Sequence, residues 1–313
     1  MQKKNLYWVL AYYHFTNIED PHELVAAHKE FFADKEIRSR IYISYQGING
    51  QMSGSQEAAE TYMKWLRSHP LFSSVVFKIH EHHENVFPRK TVKYRPQLVA
   101  IDEEIAVQDG GQHVSPKEWR ALLESNQRPL LLDVRNNYEW EVGRFAGAEC
   151  PPCETFRAFK EYADELRKRV DPEKTPVMMY CTGGIRCELY SALLKKEGFQ
   201  NVYQLDGGVI GYGLHEGSSH WLGKLFVFDD RLTVPISSEE APVIGTCAQC
   251  GCQADTYYNC ANMECNLLFI SCKPCSDAFT GCCCKECQTS PRVRPYHKEE
   301  AHKPFRKKHH YAI

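Results

Sequence analysis

The chain has 313 residues, 43% of them hydrophobic and 25% charged, and a formal net charge of -2. That is ordinary for folded soluble protein with room for two or three domains, and it excludes a uniformly basic surface for nucleic acid. A nucleic-acid partner would have to be met by a local basic patch, and no apolar run approaches the roughly 20 residues needed to span a bilayer.

The first ten residues imitate a short signal peptide, but Tyr12, Tyr13 and His14 interrupt the apolar run and no small-residue cleavage site follows. The expectation is a first strand over Leu6 to Phe15. Asp20-Pro21-His22-Glu23 then opens a helix, with Asp as its cap and Pro in the first turn. Arg40 to Tyr45 alternates like a strand, Gly47-Ile48-Asn49-Gly50 reads as a turn, and Gln51 to Ser53 begins a partner strand. Ser55 caps a second helix over Gln56 to Ser68, and Val75 to His80 is a fourth strand. The order β-α-β-β-α-β predicts a ferredoxin-like α+β sandwich over 1–95. His80, His82 and His83 read as exposed polar residues rather than metal ligands. Arg89, Lys90, Lys93 and Arg95, with Phe87 and Tyr94 among them, form either a solvated linker or an arm that contacts RNA phosphates.

A second domain, 96–220, alternates helices and strands, which implies a parallel sheet covered on both faces. Ser115-Pro116-Lys117-Glu118 is a capping box, Leu130 to Arg135 a buried strand, Phe156 to Val170 a helix and Thr175 to Tyr180 another strand. Cys181 follows at that strand's carboxyl end, where ligands bind such sheets, in the loop Cys181-Thr182-Gly183-Gly184-Ile185-Arg186. Two glycines let the backbone curl into a nest of N–H groups at a helix start, and those amides with Arg186 lower the pKa of a thiol. The pattern favours a nucleophilic Cys181 over a buried structural thiol. Cys187 either packs or resolves an oxidised Cys181, and Cys150-Pro151-Pro152-Cys153 reads as two incidental thiols.

Eleven of the fifteen cysteines crowd the segment 247–287. Cys247 with Cys250, Cys260 with Cys265, Cys272 with Cys275 and Cys284 with Cys287 supply four pairs, enough for two sites of four thiolates, with Cys252, Cys282 and Cys283 as spare or alternative ligands. Zinc is favoured over an iron–sulfur cluster, in a module over 221–290 too small to build its own core. The tail, 291–313, mixes Arg292, Arg294, Lys298, Lys303, Arg306, Lys307 and Lys308 with Tyr296, Phe305 and Tyr311. It reads as a solubilising tail or an RNA contact.

Asp133-Val134-Arg135, Tyr138-Glu139-Trp140, the Cys181 to Cys187 loop and Val202 to Gly208 together resemble a rhodanese domain. That resemblance implies a sulfur-accepting or otherwise catalytic Cys181, anion stabilisation by the loop amides and Arg186, and a site braced by Asp133 and Arg135. Phosphatases of related fold carry one more residue between Cys and Arg than the four here, which disfavours phosphate chemistry. Across nearly the whole chain, the N-terminal domain, the basic connector, the Cys-Thr-Gly-Gly-Ile-Arg-Cys-Glu loop, the Leu225 to Arg231 segment and the Cys-rich end resemble the tRNA uridine hydroxylase family. The resemblance implies oxygen-dependent conversion of the wobble uridine of tRNA to 5-hydroxyuridine, with molecular oxygen as co-substrate, tRNA as partner, the loop cysteine required and the cytoplasm as location. No flavin or nucleotide motif is visible, and no membrane or DNA partner is expected. The alternatives are a persulfide or thiosulfate sulfurtransferase and a noncatalytic zinc-bearing RNA-binding protein.

Overall fold

In the computed structural model, which describes residues 6–101, 103, 105–125 and 129–298, the aromatic run near the start of the chain is strand β1 (Tyr7–Phe15). It is followed by α1 (Pro21–Phe31), β2 (Arg38–Ser44), β3 (Gly47–Ser55), α2 (Gln56–Ser68), β4 (Lys78–His82) and β5 (Lys90–Tyr94). These belong to the first of two compact units, Met1–Gln108 and Asp109–Ile313. The Asp20 carboxylate accepts the amides of His22 and Glu23 at 2.8 and 3.1 Å, which satisfies two orphan donors and fixes where α1 starts.

The strands lie in the order β4-β1-β3-β2-β5, and every pair is antiparallel except β2 with β5. Alternation sends Leu10, Tyr12, Ile41, Ile43, Ile48 and Met52 to one face, where they pack against Leu24, Val25, Ala59 and Leu66 of the two helices. Each such side chain, fully buried, contributes about 1.5–3 kcal/mol.

Two expectations are corrected here. Gly47 to Gly50 is not a turn: the turn is Tyr45-Gln46, and the glycines are the first residues of β3. They serve close approach instead, since a Cβ on Gly50 would lie 2.2 Å from the Tyr12 ring and one on Gly47 2.0 Å from the His14 carbonyl. The basic connector is not a solvated linker, because Lys90 to Tyr94 pair with Ser39 to Ile43 as a fifth strand.

The second unit contains β6 (Gln112–Val114), α3 (Pro116–Glu124), β7 (Leu130–Asp133), α4 (Asn137–Trp140), β8 (Gly143–Phe145), α5 (Phe159–Arg169), β9 (Val177–Tyr180), α6 (Ile185–Lys196), β10 (Val202–Leu205) and α7 (Gly208–Glu216). The capping box is formed, with the Ser115 hydroxyl accepting the Glu118 amide and the Glu118 carboxylate accepting the Ser115 amide. Strands in the order β6-β10-β9-β7 make a parallel sheet. All four residues of β9 are buried, as a central strand covered on both faces requires. Helix α6 is buried from Arg186 to Leu194 and begins at Ile185, so Arg186 and Cys187 stand in its first turn rather than before it.

Within this unit follow β11 (Trp221–Gly223), β12 (Leu225–Phe226), β13 (Thr233–Val234), β14 (Tyr257–Asn259), β15 (Leu268–Ile270), α8 (Lys273–Ala278) and α9 (Lys285–Gln288). The Cys-rich segment does not hang free. Phe226, Leu232, Cys247, Tyr257 and Ile270 share one core with Val142, and Tyr138 packs against it. The described part of the tail folds back on this segment, with the Arg294 guanidinium donating to the Cys260 carbonyl at 2.5 Å and to Asn266 at 2.7 Å. Residues 299–313, which include Lys303, Phe305, Arg306, Lys307, Lys308 and Tyr311 of the expected basic tail, lie outside the described residues. Among the described residues no helix is long and apolar enough to cross a membrane.

Candidate active site and thiolate clusters

Strand β9 delivers Cys181 to the start of a loop that ends at Gly184, which caps α6 with a φ of 106°. The Gly184 amide donates to the Cys181 Sγ at 3.1 Å, and the amides of Arg186 and Cys187 and the Cys187 thiol also donate to it. Burial alone would push the Cys181 thiol up. The Cys187 donor, the Arg186 charge and the amides outweigh burial and bring the pKa from 9.0 down to about 5, so the sulfur is a thiolate at neutral pH. Cys187 goes the other way: burial and its hydrogen bond to Cys181 raise its pKa, so it keeps the proton it donates. Both sulfurs are fully buried, and only Gly183 and Ile185 of the loop reach partial exposure. The loop therefore meets solvent at those two residues.

The second wall is α7. Its amides at Val209 and Ile210 donate to the carbonyls of Cys181 and Thr182 at 3.0 and 3.1 Å. A Cβ on Gly208 would lie 2.6 Å from the Cys181 carbonyl and 2.7 Å from the Gly184 nitrogen, so only glycine lets the two loops touch.

Arg186 sits beside the loop but points its fork at Glu139, with Nη1 donating at 2.5 Å and Nη2 at 2.8 Å. Nη2 also reaches the Thr182 hydroxyl at 3.2 Å, and that hydroxyl donates to Glu139 at 3.0 Å. Burial raises the Glu139 pKa and the Arg186 charge more than reverses this, so the carboxylate stays ionised. Arg186 thus acts on Cys181 through its field while its hydrogen bonds lock the loop. Glu139 was expected only as part of a motif; its signal is its position three residues after Asn136, whose amide its Oε2 accepts at 3.2 Å.

Asp133 and Arg135 pair beneath the loop, with Arg135 Nε and Nη2 donating to the carboxylate at 2.8 and 2.6 Å. Arg135 Nη2 also donates to the Gly143 carbonyl at 2.6 Å, and the Tyr180 hydroxyl donates to Asp133 at 2.7 Å. This fully buried network holds the end of β9 without touching Cys181. Cys150 and Cys153 are raised to about 12 and about 11, burial being the leading cause, and remain protonated thiols.

Two groups of four cysteines converge in the Cys-rich segment, each with its sulfurs within 4.8 Å of one another: Cys247, Cys250, Cys272 and Cys275, then Cys260, Cys265, Cys283 and Cys287. The second corrects the expected pairing, since Cys283 and not Cys284 joins it. Cys284, the extended residue that caps α9, keeps its Sγ 3.9 Å from that of Cys283 but falls outside the group of four. Four convergent thiolates are the donor set of a tetrahedral soft-metal site, so the residues fit zinc or an iron–sulfur cluster. His82, His83 and Glu84 also bring ligand atoms within 4.8 Å of one another, with the last two exposed.

Of the expected RNA contacts, Lys93 and Arg95 fall on the sheet face away from the helices, where Arg95 lies over the Tyr42 ring at 5.1 Å. Lys90 turns to the opposite face and donates to the Phe32 and Ala33 carbonyls at 2.5 and 3.2 Å. Arg89 contributes its carbonyl to the Ser39 amide at 2.8 Å.

Comparison with known proteins matches residues 7–98 to the UPF0176 acylphosphatase like domain, 115–214 to the rhodanese-like domain and 222–288 to the domain described as rhodanase C-terminal. The chain is 68% identical over 311 residues to a tRNA uridine(34) hydroxylase of Protochlamydia amoebophila (strain UWE25), covering 99% of this chain and 97% of that one. It is 57% identical over 309 residues to the tRNA uridine(34) hydroxylase of Chlamydia felis (strain Fe/C-56), with 98% and 94% covered. The protein of that name from Chlamydia trachomatis serovar D is 55% identical over 305 residues, with 97% and 93% covered.

Proposed function

The chain belongs to the tRNA uridine(34) hydroxylase family, and from that premise we propose that it hydroxylates the wobble uridine of tRNA to 5-hydroxyuridine, with molecular oxygen as co-substrate, a two-electron donor that reduces the second oxygen atom to water, and Cys181 as the working thiol. The observation that carries the reading is the match to named hydroxylases over 99% of the chain at 68% identity, which covers the Cys181 loop together with everything that supports it. The site's chemistry supports it as well. A thiolate is a strong nucleophile, and addition of a thiolate at C6 of a pyrimidine makes C5, the position to be hydroxylated, electron-rich. In this reading the loop amides and the Cys187 thiol hold the sulfur charged, and the Glu139–Arg186 pair keeps the loop in the geometry that lets them do so.

Two structural zinc ions belong to the same reading. Cys247, Cys250, Cys272 and Cys275 would hold one, and Cys260, Cys265, Cys283 and Cys287 the other. Zinc would supply cross-linking rather than chemistry, since it has no redox activity and four thiolates leave it no open position. The cytoplasm is the proposed location, because free thiols and tRNA coexist there.

The rhodanese-like match over 115–214 favours sulfur transfer as the second reading. Nucleoside mass spectrometry of tRNA from a deletion strain, and from strains restored with wild type or Cys181→Ser, separates the two. Loss of 5-hydroxyuridine in the deletion and the Ser strain, with recovery in the wild type, is the expected result. Undiminished 5-hydroxyuridine in the deletion, together with efficient transfer of sulfur from thiosulfate to cyanide by the purified chain, would install the second reading.

A further inference from the structure

The face of the five-stranded sheet opposite α1 and α2 carries side chains that the core does not use. Tyr13, Asn49, Tyr42 and Lys93 stand in one row across β1, β3, β2 and β5. Partners in register share a face, so all four point away from the helices. The two tyrosines are two strands apart, about 10 Å, and both are partly exposed. Cations attend each ring. Lys78 lies 5.1 Å from the Tyr13 centroid, the Arg40 Nε donates to the Tyr42 hydroxyl at 3.0 Å, and Arg95 lies 5.1 Å from the Tyr42 centroid.

The charge on this face is one-sided. The five strands contain a single acidic residue, Glu81, and its register partner Trp8 packs on the helix side. In a chain of net charge -2, a sheet face whose strands present cations and no carboxylate is a local exception. Its complement is a polyanion. Partly exposed rings among those cations add a second requirement, because a duplex hides its base faces in the stack whereas a single strand can lay them on tyrosines. Asn49, between the rings, offers both a donor and an acceptor to a base edge.

We infer that this sheet face docks a single-stranded segment of the tRNA substrate, with bases stacked on Tyr13 and Tyr42 and phosphates met by Arg40, Lys93 and Arg95. The inference rests on the tRNA-modifying reading above and names the surface by which that substrate is held. Lys90, turned to the helix side, takes no part.

The test is fluorescence anisotropy of the full chain with an anticodon stem-loop RNA hairpin, alongside the same sequence closed into a duplex. Tyr42→Leu and Tyr13→Leu should each weaken hairpin binding at least about 5-fold. Lys93→Gln with Arg95→Gln should flatten the dependence of log Kd on log salt by about 1.4, or 0.7 for each lost phosphate contact. Lys64→Gln, on α2, should change neither. A hairpin carrying 4-thiouridine in its loop, crosslinked to the wild-type chain, should mark peptides of β1 and β2, which frees the result from any folding defect of a variant. Crosslinks that fall only elsewhere overturn the inference, as does duplex binding that equals hairpin binding with the same sensitivity to the variants. Wild-type binding in every variant, with hydroxylation intact, overturns the docking surface and leaves the hydroxylase standing. A wild-type chain that neither binds the hairpin nor hydroxylates tRNA overturns both.

Discussion

Arg186 and Glu139 meet fork to fork, at 2.5 and 2.8 Å, with the carboxylate fully buried and the guanidinium nearly so. The pair ties the first turn of α6 to α4, and through Thr182 it ties both to the loop that begins at Cys181. Breaking a buried pair from one side leaves the other charge stranded, at a cost of about 3–5 kcal/mol. Glu139→Gln should therefore lower stability by roughly that amount and lower hydroxylation with it. Thermal melts check it, and Glu139→Gln combined with Arg186→Met should recover part of the lost stability.

The Cys181 thiol gives a pH signature. Its pKa in the folded chain is depressed from 9.0 to about 5, so the thiolate contributes stability that is full above about pH 9 and is lost as pH falls through about 5. Alkylation of Cys181, followed by peptide mass spectrometry, should titrate near pH 5 and not near 9. Cys181→Ser should leave no measurable hydroxylation at any pH.

Cys187 is one of the donors that hold that thiolate. A hydrogen bond to a charged group is worth about 1.5–3 kcal/mol, so Cys187→Ala should raise the Cys181 titration by about one to two pH units. Cys187→Ser keeps a donor and should restore most of the shift. If Ala and Ser behave alike, Cys187 only packs.

Cys283 and Cys284 are neighbours with opposite prospects. Purified wild type should carry two zinc ions per chain by elemental analysis. Cys283→Ser should drop this to about one, while Cys284→Ser should leave it at about two. Iron in place of zinc, with the visible absorbance of a cluster, would exchange the metal without moving the ligands.

Much of this was legible in the chain because local rules and tertiary demands agree. Asp20 and Ser115 cap the helices they were expected to cap, and Cys181 lies at the carboxyl end of a buried strand. The misses share one cause, which is that packing between elements decides what a local pattern leaves open. Gly47 and Gly50 carry a turn's composition, but Tyr12 and His14 crowd the space a side chain would need and make them strand residues. Lys90 to Tyr94 have no alternation that announces an edge strand, and it is β2 that recruits them. Glu139 looks like a surface acid until Arg186 arrives from 47 residues away. For Cys283 and Cys284, spacing cannot say which of two adjacent thiols completes the group of four, because their sulfurs lie 3.9 Å apart and only the folded segment brings Cys283 within reach of the other three.

The contact between the Cys-rich segment and α4 has an evolutionary consequence. Tyr257, in β14, donates its hydroxyl to the Tyr138 carbonyl at 2.5 Å, Lys224 pairs with Asp255 at 2.7 Å, and the Lys224 amide donates to the Val142 carbonyl at 2.8 Å. Tyr138 and Val142 bracket Glu139, so the residue that positions Arg186 is gripped on both sides by residues from beyond the family boundary at 222. That boundary divides sequences but not a heritable part. A lineage that shed or swapped the thiolate segment would leave α4 without its anchor, and the two stretches can be expected to be lost, gained and transferred together.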